Sequence, residues 1–263
     1  MNLSSFKLLS RQRYLLAALV RRNLLGRYRG SSLGTAWSLL EPLVLLGIYT
    51  LVFGVLMGLG REEGIGGYAL KVFCGILAWL PFSESLNRAT TVLWENTTLV
   101  KKVIFPQEVL PLQLVLSAFL NQIPGLIVLL AGVAALRGQI HLTWLWGPIL
   151  VVPQLLLTAG LAFFIAATSP LLRDVKQFTA LGTLCWMFAT PIFYPENLFR
   201  GRLACWIFLN PLAAIIHNYR AVFILGSAPD WGMFLYSLFL GLLLYLAGHR
   251  FFLRTRKLFA DLI

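Results

Sequence analysis

Apolar residues run almost continuously through this chain, and six of the runs are close to the roughly 20 residues that a helix needs to cross a bilayer. The runs are uninterrupted and do not alternate with polar residues, which is typical of membrane-spanning helices and not of β-barrel strands. The pattern therefore predicts an all-α integral membrane protein with six transmembrane helices. The predicted spans cover about residues 33–59, 68–86, 110–136, 142–168, 178–193 and 231–248.

The stretch between the fifth and sixth spans, residues 194–230, is semi-apolar and rich in aromatic residues and proline. It predicts one or two short re-entrant helices that dip into the membrane or lie at its surface; a seventh and an eighth crossing are the alternative. Pro191 and Pro195 end the fifth span and predict an ordered turn. In the helix before them, Phe178, Trp186 and Phe193 are predicted to share one face, which either packs on lipid and protein or contacts sugar rings.

Composition agrees with a membrane protein, because 59% of the residues are apolar and only 12% are charged. This balance excludes a disordered chain, a coiled coil and an ordinary soluble enzyme. The net charge of +12 indicates cytoplasmic loops and not a nucleic-acid surface. Sixteen of the 22 lysines and arginines fall in residues 1–32, 87–109, 169–177 and 249–263, which predicts that both termini are cytoplasmic.

The chain divides into a cytoplasmic arm, residues 1–32, and a single six-helix transmembrane domain, residues 33–263. The arm is no cleavable signal peptide, because its apolar run is short and flanked by arginine. As a helix it places Leu16, Val20 and Leu24 on one face and Arg11, Arg22 and Arg29 on another. This pattern predicts an amphipathic helix on the inner leaflet, or simply a positively charged anchor.

Two further segments combine charge with apolar or constrained residues. In the first span Glu41 precedes Pro42; the glutamate lies near the mouth of a pathway, or it pairs with an arginine of the arm. In the cytoplasmic loop of residues 87–109, an apolar face of Leu99, Val100, Val103 and Ile104 predicts docking against lipid or a soluble partner.

Catalytic and metal-binding motifs are missing from the sequence. The dipeptide Gly-Lys never occurs, so the chain has no P-loop. The three histidines are scattered, and Cys74, Cys185 and Cys205 show neither metal-ligand nor disulfide spacing. We therefore expect a transport subunit without a cofactor of its own, whose energy comes from a partner.

Three strings, in order along nearly the whole chain, carry a resemblance to a known family. They are RYRGSSLG at residues 27–34, ENTTLVKKVIFP at residues 95–106, and RDV at residues 173–175 followed by TPIFY at residues 190–194. The chain resembles the ABC transporter permeases that export polysaccharides, above all the O-antigen (lipopolysaccharide) export permeases, with capsule and teichoic-acid permeases as relatives. A drug-export ABC permease, or a membrane enzyme acting on lipid-linked sugars, is the alternative; the enzyme would need a carboxylate or histidine cluster.

The resemblance implies a homodimer that forms one channel in the bacterial inner membrane and binds two copies of a soluble ATPase subunit. ATP and Mg²⁺ would bind in that partner, and the substrate would be a lipid-linked polysaccharide. Residues 87–109 would form the coupling loop, and residues 194–230 would lie near the periplasmic exit.

The resemblance also implies roles for individual residues. Those expected to contact the ATPase are Glu95, Asn96, Leu99, Val100, Lys101, Lys102, Val103 and Phe105. Those expected to line the substrate pathway are Tyr49, Phe53, Trp186 and Phe193. Apart from the resemblance, the charge pattern predicts a cytoplasmic mouth or gate, where arginines could meet a pyrophosphate, at Arg27, Arg29, Arg173 and Asp174. For Arg173 and Asp174, a polar cap on the fifth span is the alternative.

Overall fold

The computed structural model describes residues 12–27, 30–58, 64–101, 105–194 and 209–263, and within these ranges it contains helices and turns but no strand. The predicted all-α class is therefore confirmed. The α-helices, numbered in chain order, are α1 (Arg13–Arg27), α2 (Trp37–Tyr49), α3 (Gly64–Ala89), α4 (Val92–Glu95), α5 (Thr97–Val100), α6 (Val109–Asn121), α7 (Ile123–Arg137), α8 (Gly147–Thr168), α9 (Val175–Ala189), α10 (Pro211–Tyr219), α11 (Trp231–Thr255) and α12 (Phe259–Leu262).

Five helical segments in the described part of the chain are long and apolar enough to cross a membrane. They correspond to the first, second, third, fourth and sixth predicted spans, and the second and sixth extend further than predicted. The bounds are Trp37–Leu56, Gly64–Ala89, Val109–Arg137, Leu142–Thr168 and Trp231–Leu258.

The helix at the fifth predicted span is shorter than the sequence pattern indicates. Helix α9 has 15 residues and ends at Ala189, four residues before the predicted end at Phe193. At 1.5 Å per residue its length is about 22 Å, less than the hydrocarbon core of a typical bilayer. The prediction of six spans is therefore not confirmed and stays a prediction.

The third span is built from two helices. Helix α6 ends at Asn121 and α7 begins at Ile123, with Gln122 between them. Pro124 in the first turn of α7 has no N–H group to continue the hydrogen bonding of α6. The break places Gln122, next to Asn121, in the middle of the third span.

The first span also changes its helical form along its length. Helix α2 runs through Pro42 to Tyr49 and continues as a π-helical segment, Thr50–Leu56. Gly54 in that segment lies against α3, where an added Cβ would be 3.1 Å from Cδ1 of Tyr68. The small residue thus permits the close contact between the first two spans.

Helices α8 and α11 touch along their backbones at small residues. A Cβ added to Gly248 would lie 2.1 Å from the carbonyl oxygen of Gly160, and one added to Gly160 would lie 2.4 Å from the backbone of Leu244. A Cβ at Gly241 would lie 2.8 Å from the carbonyl oxygen of Pro153. Glycine is therefore required where these two spans cross.

Helix α1 packs on α6 through Leu19 and Val20, which are buried. Asn23 Nδ2 donates a hydrogen bond to Gln113 Oε1 at 3.2 Å. Arg22 is exposed, whereas Arg11 and Arg29 lie outside the described residues. The helix predicted in the arm is thus present and protein-bound on one side, while its contact with lipid stays a prediction.

The segment before the last span holds α10 and a π-helical continuation, Arg220–Leu225. Residues such as Leu212 and Val222 are fully buried, so this helix is part of the core and packs on α3, α8 and α11. Residues 195–208 lie outside the described part. A re-entrant path through the membrane remains a prediction.

Candidate functional site

The turn after α9, residues 190–194, is held by side chains from other elements. Helix α9 ends because Thr190 is extended, with φ −105° and ψ 133°, as residues before proline prefer. Arg220 Nη2 donates to the carbonyl oxygen of Ile192 at 2.9 Å, and Tyr68 Oη donates to that of Phe193 at 2.7 Å. The predicted ordered turn is present over residues 190–194, whereas Pro195 lies outside the described residues.

The same turn is linked to the start of α10 through Asn210. Asn210 Nδ2 donates to Thr190 Oγ1 at 2.9 Å, and Trp186 Nε1 donates to Asn210 Oδ1 at 3.0 Å. These bonds position the last turn of α9 and its aromatic residues against the rest of the protein.

Three of the four aromatic residues predicted for the pathway form one cluster. The ring of Phe193 stacks on Phe53 with centroids 5.1 Å apart, and it lies 4.4 Å from the ring of Tyr49. Phe193 is only 2% exposed, so in this conformation the rings close on one another. Trp186 packs instead on Phe82, with centroids 5.2 Å apart.

The predicted aromatic face of the fifth span is wrong in one respect. Because the helix stops at Ala189, Phe193 leaves the helical register and turns into the cluster with Tyr49 and Phe53. Phe178, predicted on the same face, is 73% exposed near the other end of α9. The aromatic contacts therefore link the first span to the turn after α9, and the aromatic residues do not form a continuous stripe along α9.

Removing the hydroxyl of Tyr68 tests how strongly the turn is held. The change Tyr68→Phe leaves the buried carbonyl of Phe193 without this donor, which costs about 1 kcal/mol. We expect the melting temperature of the purified protein to fall by roughly 2–4 °C. Tyr14→Phe, at a residue that is 75% exposed on α1, is the control and should leave it unchanged. Equal melting temperatures for both variants would contradict this anchoring.

A cluster of ion pairs connects the arm to the first two spans. Arg27 contacts Glu84 through a short Nη1 to Oε1 bond, and Arg88 Nη1 donates to the same carboxylate oxygen at 3.2 Å. Arg27 Nη2 also lies 3.8 Å from Glu41 Oε2. Of the two interpretations of Glu41, the structure shows the pairing with an arginine of the arm. Arg27 is thus balanced by two carboxylates.

The other residues predicted at the mouth are separate from this cluster. Arg173 and Asp174 are exposed, and Asp174 immediately precedes the first residue of α9. A carboxylate in that position favours the positive end of the helix dipole. Arg29 lies outside the described residues.

The loop between the second and third spans folds into the two short helices α4 and α5. Its exposed side chains include Trp94, Glu95 and Lys101, and Leu99 is partly buried. Val100 is 2% exposed, and its predicted contact with the ATPase subunit stays a prediction. It packs in the core of this chain, because the loop folds back on the ends of the helices that it joins.

The loop is also bonded to the arm. Arg22 Nη2 on α1 donates to Asn96 Oδ1 at 3.2 Å, and Asn96 Nδ2 donates to the carbonyl oxygen of Val92 at 2.8 Å. Phe105 is partly buried, whereas Lys102 and Val103 lie outside the described residues. The arm and the loop thus form one continuous surface at this end of the bundle.

Sequence reasoning missed two residues of this end. Trp94 is 46% exposed beside the predicted contact residues, and its size and exposure in a charged loop were a usable signal. Glu84 could not be paired from the sequence, because its partner Arg27 lies 57 positions away. In the described residues no group of three histidine, cysteine, aspartate or glutamate side chains could hold a metal ion.

Comparison with known proteins assigns this arrangement to a family. The sequence model described as "ABC-2 type transporter" matches residues 14–224, from α1 to the π-helical segment before the last span. The chain belongs to the ABC-2 type transporter family. This family consists of the membrane permease subunits of transporters, so the chain is a multi-pass membrane permease and not itself an enzyme. Membership of the family also implies partnership with an ATP-binding subunit.

Relatives of this permease match it over 95% of its length. It is 32% identical over 256 residues to an O-antigen export system permease protein RfbA of Myxococcus xanthus, covering 95% of this chain and 96% of that protein. It is 28% identical over 251 and 254 residues to two proteins of the same name from Klebsiella pneumoniae, each comparison covering 95% of both chains. The resemblance inferred from the three sequence strings is thereby confirmed.

Proposed function

We propose that this permease is the channel-forming subunit of an ATP-driven exporter that moves lipid-linked polysaccharide of the O-antigen type across the inner membrane of a bacterium. The observation that carries the proposal is the 32% identity, over 95% of the chain, to an O-antigen export permease. Capsule or teichoic-acid export is not favoured, because all three relatives above carry the O-antigen name.

A separate ATPase subunit would supply the energy, with ATP and Mg²⁺ bound there. Its docking surface on this permease would be the loop bearing Trp94, Glu95 and Lys101, together with Lys102 and Val103. The hydrogen bond between Arg22 and Asn96 supports a docking surface that includes α1 as well. Movement of the loop would then pass directly to the arm and, through Arg27, to the first two spans.

The exporter would be a homodimer with two such ATPase subunits. Exposed apolar faces on the first span and on α9 support this, because they are available to a second copy or to lipid. The residues are Val44, Ile48, Leu51, Val55, Phe178, Leu181, Leu184 and Phe188. The rings of Tyr49, Phe53 and Phe193 would separate when the pathway opens and then contact sugar rings, with Trp186 close to the exit.

The topology belongs to the same proposal. Six crossings with both termini in the cytoplasm place the basic regions, residues 1–32, 87–109, 169–177 and 249–263, on one side of the membrane. Helix α9 would cross together with the turn that follows it, and residues 194–230 would lie near the periplasmic face.

Two arginines at the proposed cytoplasmic mouth have different expected roles. Arg27→Gln breaks contacts with Glu84 and Glu41, so we expect a loss of about 2 kcal/mol of stability and a lower melting temperature. Arg173→Gln changes an exposed side chain, so stability should be unchanged while export falls if Arg173 meets the pyrophosphate of the lipid carrier. Thermal melting and surface polysaccharide are measured for both. Normal export by the Arg173 variant would contradict the pyrophosphate contact.

Deletion of the gene in its own host tests the proposed function. We expect long-chain surface polysaccharide to disappear and lipid-linked polymer to accumulate inside the cell, with both restored by the intact gene but not by a gene for an unrelated permease. Unchanged surface polysaccharide together with increased drug sensitivity would instead support a drug exporter and contradict the proposal.

A further inference from the structure

A deep apolar groove lies on the flank of the bundle, between α3, the α6–α7 pair and α8. Its volume is about 470 Å³, within the range of roughly 300–1,000 Å³ that is typical of ligand pockets. Its walls are almost entirely aliphatic and aromatic; they include Leu77, Leu116, Phe119, Leu126, Leu130 and Val151. The groove therefore suits a hydrocarbon chain.

The polar groups in the floor of the groove satisfy one another. Tyr219 Oη donates to Gln154 Oε1 at 2.6 Å, and Gln154 Nε2 donates to the carbonyl oxygen of Ala78 at 2.6 Å. A chain lying over this floor would therefore bury no unmatched polar group.

Gln122, at the break between α6 and α7, differs from these residues. It lines the groove and also a second, polar cavity of about 180 Å³ that contains Arg27, Glu41 and Glu84. Its Oε1 atom is buried and accepts no hydrogen bond from the part of the protein that the structure describes. A buried acceptor of this kind costs about 1–3 kcal/mol, which a ligand with a suitable donor would recover.

One carboxylate of the polar cavity, that of Glu41, is only loosely paired and could accept a further positively charged donor. The side chain of Glu41 is 49% exposed, and its contact with Arg27 is long, at 3.8 Å. An ammonium group could donate to the carboxylate of Glu41 and to Gln122 Oε1 at once, since it has three donors. The acceptors of the cavity and the apolar groove meet at Gln122, so one amphipathic molecule could occupy both.

We propose that this site binds one aminophospholipid of the membrane, with its ammonium group in the polar cavity and one acyl chain in the groove. A second copy of the chain is the less suitable occupant, because a volume of about 470 Å³ would hold only about one turn of a helix that is roughly 10 Å across. The site lies apart from the aromatic cluster, and the proposal requires only that the chain is a membrane permease.

The head-group preference is tested with the permease and its ATPase subunit purified together and reconstituted into nanodiscs. The discs contain phosphatidylglycerol with either phosphatidylethanolamine or phosphatidylcholine, whose trimethylated nitrogen has no N–H donor. Native mass spectrometry then counts the retained lipids. We expect one phosphatidylethanolamine per permease chain and at least about tenfold less phosphatidylcholine, in line with a donor contact of about 1.4 kcal/mol. Equal retention of the two lipids overturns the proposal.

Two variants of α7 test the position of the acyl chain. Leu126→Trp fills the groove and should reduce phosphatidylethanolamine retention at least about tenfold, in line with the loss of a well-packed chain contact. Ile127→Trp, at a neighbouring residue that is 61% exposed and does not line the groove, is the matched control and should retain the lipid. Equal retention by both variants overturns the assignment.

A measurement on the unmodified protein protects the test against misfolded variants. Phosphatidylethanolamine with a photoactivatable acyl chain should cross-link mainly to peptides of residues 116–130 and 147–155. Cross-links spread evenly over α2, α9 and α11 overturn the proposal.

The variant Gln122→Leu tests the role of the buried acceptor. It should keep the cross-links and abolish the preference for phosphatidylethanolamine, and a preference that persists also overturns the proposal.

Discussion

Replacing Gly248 with alanine is expected to leave little folded permease in the membrane. The new Cβ would lie 2.1 Å from the carbonyl oxygen of Gly160, a contact of backbone on backbone that no rotamer change relieves. Overpacking of this kind costs about 3 kcal/mol, and the two spans would have to separate to accommodate it. We expect the melting temperature to fall by roughly 10 °C, together with a loss of the monodisperse peak in size-exclusion chromatography.

The matched control is Gly182→Ala on α9, where an added Cβ meets no atom within 4 Å. Alanine is the better helix former by about 1 kcal/mol, so this variant should be as stable as the parent or slightly more so. If Gly248→Ala and Gly182→Ala behave alike, α8 and α11 do not cross at their glycines.

Replacing Trp94 with alanine is expected to weaken binding of the ATPase subunit by about 30-fold. Exposed tryptophans that become buried in an interface commonly contribute about 2 kcal/mol. Trp94 is 46% exposed on a loop whose other side chains are anchored by Arg22 and by burial of Val100, so its loss should change the docking surface and not the fold. The affinity is measured by titrating the ATPase subunit onto the purified permease.

Trp231→Ala provides the control, because Trp231 is also 46% exposed but begins the last span. In the proposed topology, Trp231 and the Trp94 loop lie on opposite sides of the membrane. This variant should bind the ATPase subunit as the parent does. Equal affinity for the Trp94 variant would show that Trp94 is not part of the docking surface.

Much of the fold could be predicted from the sequence because apolar length alone marks a spanning helix. Five of the six predicted spans correspond to long helices. The fifth was placed too far along the chain, since an apolar run continues through Thr190 to Phe193 while the backbone already turns before Pro191. Hydrophobicity does not indicate where a helix ends, whereas Pro191 favours an extended conformation for Thr190 before it.

The candidate site was less predictable, because its contacts join distant parts of the chain. Tyr49, Phe53 and Phe193, which the resemblance implies for the substrate pathway, lie in one cluster, and their mutual contact could not be read from one sequence. The pairing of Arg27 with Glu84 depends on how α1 packs on α6, which periodicity does not determine. Val100 was expected at a free surface because a helical pattern shows an apolar face without showing what covers it.

Export by purified components tests the central claim most directly. The permease and its ATPase subunit are reconstituted into vesicles with lipid-linked O-antigen polysaccharide on the outer face, and ATP is added outside. We predict that the polymer becomes protected from an added glycosidase only with ATP, and not with an ATPase subunit that cannot hydrolyse it. Protection of the polymer that does not depend on ATP would contradict the account. Transport of a drug by the same vesicles, without protection of the polymer, would also contradict it.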